Sequence, residues 1–161
     1  MIPVQRLNHA VLFFADLKRS VRFYTTLFGS QMVAQSGPMA FLRAQGSDNH
    51  HDLGLMEVGA AAPKPSRGSI GLYHLAWQLP DIDALAAARE ALQQAGALSG
   101  ESDHGATKSV YGADPDGNEF ELMVLLPKAE WGQYATEAPV MHLDWDEERA
   151  VTLLKNCHRA M

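Results

Sequence analysis

An internal repeat limits what this chain can fold into more than any other feature. The segment Leu7-Asn8-His9-Ala10-Val11-Leu12-Phe13-Phe14-Ala15-Asp16-Leu17 resembles Leu72-Tyr73-His74-Leu75-Ala76-Trp77-Gln78-Leu79-Pro80-Asp81-Ile82. In both, a histidine within an apolar run precedes an aspartate by seven residues. Such short apolar runs read as strands buried on both faces, and each aspartate is placed to N-cap a helix. Past Asp16, the residues Leu17, Val21, Tyr24 and Phe28 recur at helical spacing as far as Gly29. Past Asp81, Leu85, Ala88 and Leu92 do the same as far as Gly96. Three short strands are expected after each helix. They fall at Gln31–Gln35, Ala40–Ala44 and Asp52–Glu57, then at Leu98–Glu101, Ser109–Gly112 and Glu119–Leu125.

The expected fold class is therefore α+β. Two tandem β-α-β-β-β modules, residues 1–58 and 70–126, are expected to form a curved, barrel-like mixed sheet around a metal cleft. Neither module buries its sheet alone, so the two should pack as a pair. The stretch 59–69, rich in Ala, Pro and Gly, reads as the linker. Residues 127–161 are a C-terminal extension, with a helix over Asp146–His158 that carries Ala150, Leu153, Leu154 and Cys157 on one face. The closing strands align Leu53-Gly54-Leu55-Met56 with Phe120-Glu121-Leu122-Met123, which puts Gly54 where the second module has Glu121.

Composition narrows the chemistry. Of 161 residues, 47% are hydrophobic and 20% charged, an ordinary globular balance with enough length for a core. The net charge of −6, without a basic run, disfavours nucleic acid, whose phosphates need Lys and Arg. No apolar stretch is long enough to span a membrane, and Met1-Ile2-Pro3-Val4-Gln5-Arg6 lacks the form of a signal peptide. A soluble, cytoplasmic protein is the expectation. The lone Cys157 excludes an internal disulfide framework and a cysteine zinc cluster. Seven histidines are the first sign of chemistry.

His9 and His74 hold equivalent positions in two modules related by approximate two-fold symmetry, so they are expected to face each other across the cleft. Glu121 alternates with Phe120 and Leu122, sharing a strand face with Glu119 and Met123. Two imidazoles and one carboxylate meeting at one point make a facial triad with open positions on a six-coordinate metal. The competing reading is a pair of core histidines satisfied by backbone bonds, with Glu121 on a solvated face. His50-His51 precedes the strand at Asp52–Glu57 and offers a base at the cleft rim, or else merely ends the polar loop Gly46-Ser47-Asp48-Asn49. Asp114-Pro115-Asp116-Gly117 is a type I turn signature that positions the strand carrying Glu121. The Tyr111 phenol could hydrogen-bond a metal-bound oxygen, with His104 just upstream of it.

Together these residues resemble the vicinal oxygen chelate superfamily, which includes glyoxalase I, fosfomycin-resistance enzymes, bleomycin-resistance proteins and extradiol dioxygenases. The resemblance covers Leu7–Leu125 and rests most on His9, His74 and the run Asp114-Pro115-Asp116-Gly117-Asn118-Glu119-Phe120-Glu121. It implies that His9, His74 and Glu121 bind a divalent metal that chelates two neighbouring substrate oxygens. Four-ligand members carry a further ligand where this chain has Gly54. Small catechol 2,3-dioxygenase-like members look most similar. Their His-His stretch matches His50-His51-Asp52-Leu53-Gly54-Leu55, which implies an acid–base role for His51. Their active-site tyrosine, ten residues before the metal glutamate, matches Tyr111, and their Asp-His-Gly motif matches Asp103-His104-Gly105. Larger dioxygenases have a histidine where this chain has Ser102, and they contain two such domains.

The resemblance thus implies an Fe(II)-dependent, extradiol-type dioxygenase for a small catecholic or vicinal-oxygen molecule, with Mn(II), Ni(II) or Zn(II) as alternative metals. His9, His74 and Glu121 are the implied metal ligands, and His51, Tyr111 and His104 the implied catalytic set. One alternative is a glyoxalase-like isomerase, lyase or thiol transferase in the same cleft. Another, of a different class, is a protein that binds a drug or metabolite without turnover. A homodimer is the expected assembly.

Overall fold

Each apolar run of the repeat becomes a strand followed by an aspartate-capped helix. In the computed structural model, which describes residues 1–64, 66 and 68–159 (side chains in the last helix as far as Thr152), the first module has β1 (Ala10–Phe14), α1 (Leu17–Leu27), β2 (Gln31–Ser36), β3 (Met39–Arg43) and β4 (Leu53–Glu57). The second has β5 (His74–Gln78), α2 (Ile82–Gln94), β6 (Leu98–Asp103), β7 (Thr107–Ala113) and β8 (Glu119–Leu125). Two short 3-10 turns, Lys128–Glu130 and Gly132–Ala135, lead to α3 (Trp145–Arg159). Among the described residues, no helix is long and apolar enough to cross a membrane.

The caps form as the aspartates predict. Asp16 accepts the Arg19 N–H at 2.8 Å, and Asp81 accepts the Ala84 N–H at the same distance. Each satisfies a backbone donor that a helix start leaves without an intrahelical partner. Both helices end before a glycine of positive φ, Gly29 and Gly96.

Among the described residues the strands make two four-stranded sheets, ordered β1-β4-β3-β2 and β5-β8-β7-β6, and neither closes into a barrel. In each sheet the first and last strands of the module pair in parallel, and the others pair antiparallel. The repeat extends even to an irregularity of pairing in the strand after each helix, at Met32/Ala34 and at Leu98/Gly100. The parallel pairings place Val11 opposite Gly54 and Ala76 opposite Glu121, so Gly54 and Glu121 are equivalent, as the sequence alignment holds.

By contacts the chain divides into two compact units, Met1–Gly71 with Asp114–Asp116, and Leu72–Ala113 with Gly117–Met161. The first has a core of Phe14, Leu17, Tyr24, Leu42, Leu53 and Leu55. The turn at Asp114–Asp116 joins it by polar contacts with α1: Tyr24 Oη donates to Asp114 at 3.0 Å, and Arg19 binds Asp116 at 2.6 Å. Burial and the Asp114 carboxylate push the Tyr24 phenol pKa up, which keeps it a donor. The second unit packs α2 on its sheet through Leu85 and Leu92, against Val110, Phe120, Leu122 and Val124.

One expectation needs correction. The first strands are not buried on both faces: Val11 is 45% exposed and Phe13 65%, while Phe14 is buried. The helix of a module covers one face of its sheet, so the side chains of β1 alternate between core and surface. In α3, Ala150 is exposed, and the half-buried residues are Trp145, Glu148 and Thr152. Two polar contacts anchor the start of this helix: Trp145 Nε1 donates to Glu101, and Glu148 meets Lys108. The side chains of Leu153, Leu154 and Cys157 lie outside the described residues.

Candidate functional site

The second unit brings four of the expected residues into one line. His74 opens β5, and Glu121 lies on the adjoining strand β8. Their side chains meet, His74 Nε2 standing 3.2 Å from Glu121 Oε2. Tyr111 lies directly opposite Glu121 in the β7–β8 ladder, with its hydroxyl 3.3 Å from Glu121 Oε1. His104, in the turn after β6, follows with Nε2 at 2.7 Å from the Tyr111 hydroxyl. Phe120, Leu122 and Val124 fill the opposite face of β8, so strand alternation alone turns Glu121 toward His74 and Tyr111. Burial and the negative charge of Glu121 push the Tyr111 pKa up, against smaller effects of the Ser109 and Ser102 hydroxyls. The phenol therefore stays protonated at neutral pH.

The first unit assembles a second group. His9 is exposed just before β1, and its Nδ1 lies 2.9 Å from Asn8 Oδ1. A neutral His9 that donates there keeps a lone pair on Nε2. Its ring lies 4.4 Å from the His51 ring, centroid to centroid, and His51 also packs edge-on to Phe41 at 4.9 Å. Desolvation, followed by repulsion from His9 and His50 whenever those rings carry a proton, holds the His51 pKa below its ordinary value. The ring is accordingly a neutral base at pH 7.

What holds His51 against His9 is a network in residues that sequence reasoning had read as an ordinary loop. Asp52 accepts from the Ala44 N–H at 2.9 Å, the Ser47 hydroxyl at 2.7 Å and Asn49 Nδ2 at 2.7 Å. Asn49 Nδ2 also donates to the Asn8 carbonyl at 2.9 Å, and its Oδ1 accepts from Arg6 and Asn8. Burial opposes the Asp52 charge, but its three donors hold its pKa below the usual carboxylate range. Asn49 was missed as a positioning residue. The spacing of Asn49 and Asp52, a loop donor three residues before a loop acceptor, was its one available signal. His50 and His51 lie before β4 rather than in it, with their Nδ1 atoms 3.0 Å apart, so they do not point to opposite faces.

His9 thus belongs to the first unit and His74 with Glu121 to the second. Within neither unit, among the described residues, do three His, Cys, Asp or Glu side chains gather so as to hold a metal ion. The donors present nevertheless suit a divalent cation. Metal bonds of about 2.1 Å put neighbouring ligands of an octahedron about 3.0 Å apart, close to the 3.2 Å between His74 Nε2 and Glu121 Oε2. His74 Nδ1 is buried with no hydrogen-bond partner, so no acceptor within the described residues ties down that side of the ring. The Gly54 position supplies no carboxylate.

Comparison with known proteins fits this arrangement. The chain is 34% identical over 125 residues to catechol-2,3-dioxygenase of Bacillus subtilis, a match covering 78% of this chain and 43% of that protein. It is 30% identical over 126 residues to biphenyl-2,3-diol 1,2-dioxygenase 3 of Rhodococcus globerulus, covering 77% of this chain and 65% of that one. It therefore spans about half the length of these relatives. Among solved structures, a variant of the fosfomycin resistance protein FosX from Listeria monocytogenes, complexed with Mn(II), shares the fold with a TM-score of 0.62 at 21% identity, covering 81% of this chain and 98% of that one. With residues 6–122 matching the family model, a span that runs from before β1 into β8, the chain belongs to the Glyoxalase/Bleomycin resistance protein/Dioxygenase superfamily.

Proposed function

We propose that this chain is a metal-dependent enzyme of the extradiol dioxygenase type, acting on a small molecule with two neighbouring oxygens. The observation that carries the reading is the approach of His74 Nε2 to Glu121 Oε2, with Tyr111 at the carboxylate's other oxygen. The 34% identity to a catechol-2,3-dioxygenase supports the reaction class. His9, His74 and Glu121 hold the metal, Fe(II) in this proposal. When bound, the metal would polarise two chelated substrate oxygens and supply the redox chemistry with dioxygen.

The chain's own residues do the rest. His51, neutral at pH 7 because of desolvation and its histidine neighbours, takes the proton from a substrate hydroxyl at its ring nitrogen. Phe41 holds one side of that ring and offers an aromatic wall to a planar substrate. Tyr111 hydrogen-bonds a substrate oxygen, and His104 orients Tyr111.

Anaerobic loading with Fe(II), followed by oxygen uptake on a panel of catechols, tests the reading. Uptake with a yellow ring-cleavage product is the expected result. Iron that binds tightly without any oxygen uptake across the panel would overturn it. Turnover of a thiol or carbonyl substrate with Mn(II), Ni(II) or Zn(II) would replace it with the isomerase, lyase or transferase reading. Tight binding of an aromatic ligand without turnover would replace it with the binding-protein reading.

A further inference from the structure

The stretch after β8 lies beyond the 6–122 span of the family match, yet it reaches back to the line of polar groups in the second unit. The Pro139 carbonyl lies 2.6 Å from His104 Nδ1. We propose that residues 134–143 are a positioning strap that fixes the tautomer of His104 and, through it, the direction of the Tyr111 hydrogen bond. The proposal rests on the site reading above in what it implies for catalysis.

The chemistry follows from donor and acceptor inventories. A carbonyl oxygen only accepts, so His104 Nδ1 carries the proton. In the neutral ring Nε2 is then an acceptor, and it faces the Tyr111 hydroxyl at 2.7 Å. The phenol has one hydrogen. It goes to His104 rather than to Glu121, whose Oε1 is farther away at 3.3 Å. Two results follow. Glu121 Oε1 receives no hydrogen from Tyr111, which suits a metal ligand. With its one hydrogen given to His104, Tyr111 meets a substrate hydroxyl as an acceptor rather than as a donor.

The strap is held at several points, which is what a positioning role needs. Asp103 and Met141 exchange both backbone bonds, at 3.0 and 2.9 Å. Leu143 is 1% exposed. The Tyr134 ring packs flush on Gly105, leaving no space there for a side chain, and Gly105 takes a positive φ of 77°. The motif Asp103-His104-Gly105 acquires a physical reading. The Asp103 carboxylate accepts the Gly105 N–H at 2.6 Å and shapes the turn, His104 reaches between strap and Tyr111, and Gly105 admits Tyr134.

Long-range 1H–15N NMR of the full chain, labelled with 15N-histidine and free of metal, reads the tautomer directly. His104→Gln assigns the signals by their loss. In the parent, at a pH where imidazole is neutral, His104 is expected in the Nδ1–H form. A dominant Nε2–H form would overturn the proposal. Met141→Pro removes one of the two backbone bonds, and Tyr134→Ala removes the ring while sparing both bonds. Each is expected to convert a large share of His104 to the Nε2–H form while the circular dichroism stays that of the parent. If Met141→Pro does not fold, Tyr134→Ala carries the same test. A folded variant that keeps His104 wholly Nδ1–H shows that the strap does not set the tautomer and sinks the idea. Failure of the catechol screen would leave this NMR result standing, so the two proposals fail separately.

Discussion

Gly54 lies opposite Val11 on the neighbouring parallel strand, so close that a Cβ at position 54 would stand 3.0 Å from Val11 Cγ2. In the second module the equivalent pair is Ala76 and Glu121, a small residue beside a carboxylate. The two modules thus exchange large and small residues across the same strand pair, and only the second leaves room for an acid.

Gly54→Glu alone is therefore expected to destabilise the fold by about 1–3 kcal/mol, the usual cost of overpacking. The double variant Val11→Ala/Gly54→Glu should recover most of that loss. On the proposed site it should also bind Ni(II) or Zn(II) more tightly than the parent. Urea midpoints and calorimetric titration check both steps; a single variant as stable as the parent would remove Val11 from the explanation.

Alanine at His9, His74 or Glu121 should each lower metal affinity by more than the 10–100-fold typical of losing an outer-shell partner. Equilibrium dialysis against Fe(II) or Mn(II) measures this. His9 is the informative position, since it belongs to the first unit and the other two to the second. Unchanged affinity in His9→Ala would mean that the first module contributes no ligand.

His51→Ala should lower turnover by roughly the 10²–10⁴-fold that general acid–base catalysis supplies, while bound metal stays. His50 gives a pH test. The His51 pKa lies below its ordinary value through desolvation and then repulsion from His9 and His50 whenever those rings carry a proton. A base works deprotonated, so activity falls as pH drops through that pKa. Removing His50 takes away one lowering charge, so the acid limb of kcat against pH should move to higher pH in His50→Ala. A shift to lower pH, or none, would contradict the arrangement of the rings.

Lys108 binds both Asp103, at 2.6 Å, and Glu148 of α3, at 2.9 Å. Burial disfavours its charge, but the hydrogen bonds to the two carboxylates outweigh this and hold its pKa above the ordinary value. Lys108→Ala should cost about 3 kcal/mol, because two partly buried carboxylates lose their partner. A group whose pKa is raised on folding contributes stability below its unfolded pKa and loses it as pH rises through the folded value. The parent should thus lose this contribution only under strongly alkaline conditions, and Lys108→Ala should lack that alkaline loss in a denaturation series.

What the sequence alone determined was local in cause. The aspartate caps, the two helices and the period-2 strands follow from neighbours a few residues apart, and the repeat carried the Gly54–Glu121 equivalence because identical modules adopt identical registers. His74, Glu121 and Tyr111 could be picked out for the same reason, since strand alternation decides which way they face. Tertiary structure decided the rest, through contacts between distant segments. The exposure of Val11 and Phe13 depends on which sheet face a helix covers. Asn49 positions the first-module histidines through Asn8, forty-one residues away. Pro139 reaches His104 across thirty-five residues with a backbone carbonyl, a group every residue carries. No side-chain pattern can mark such a partner; only the packing of Tyr134, Met141 and Leu143 brings that one carbonyl to the imidazole.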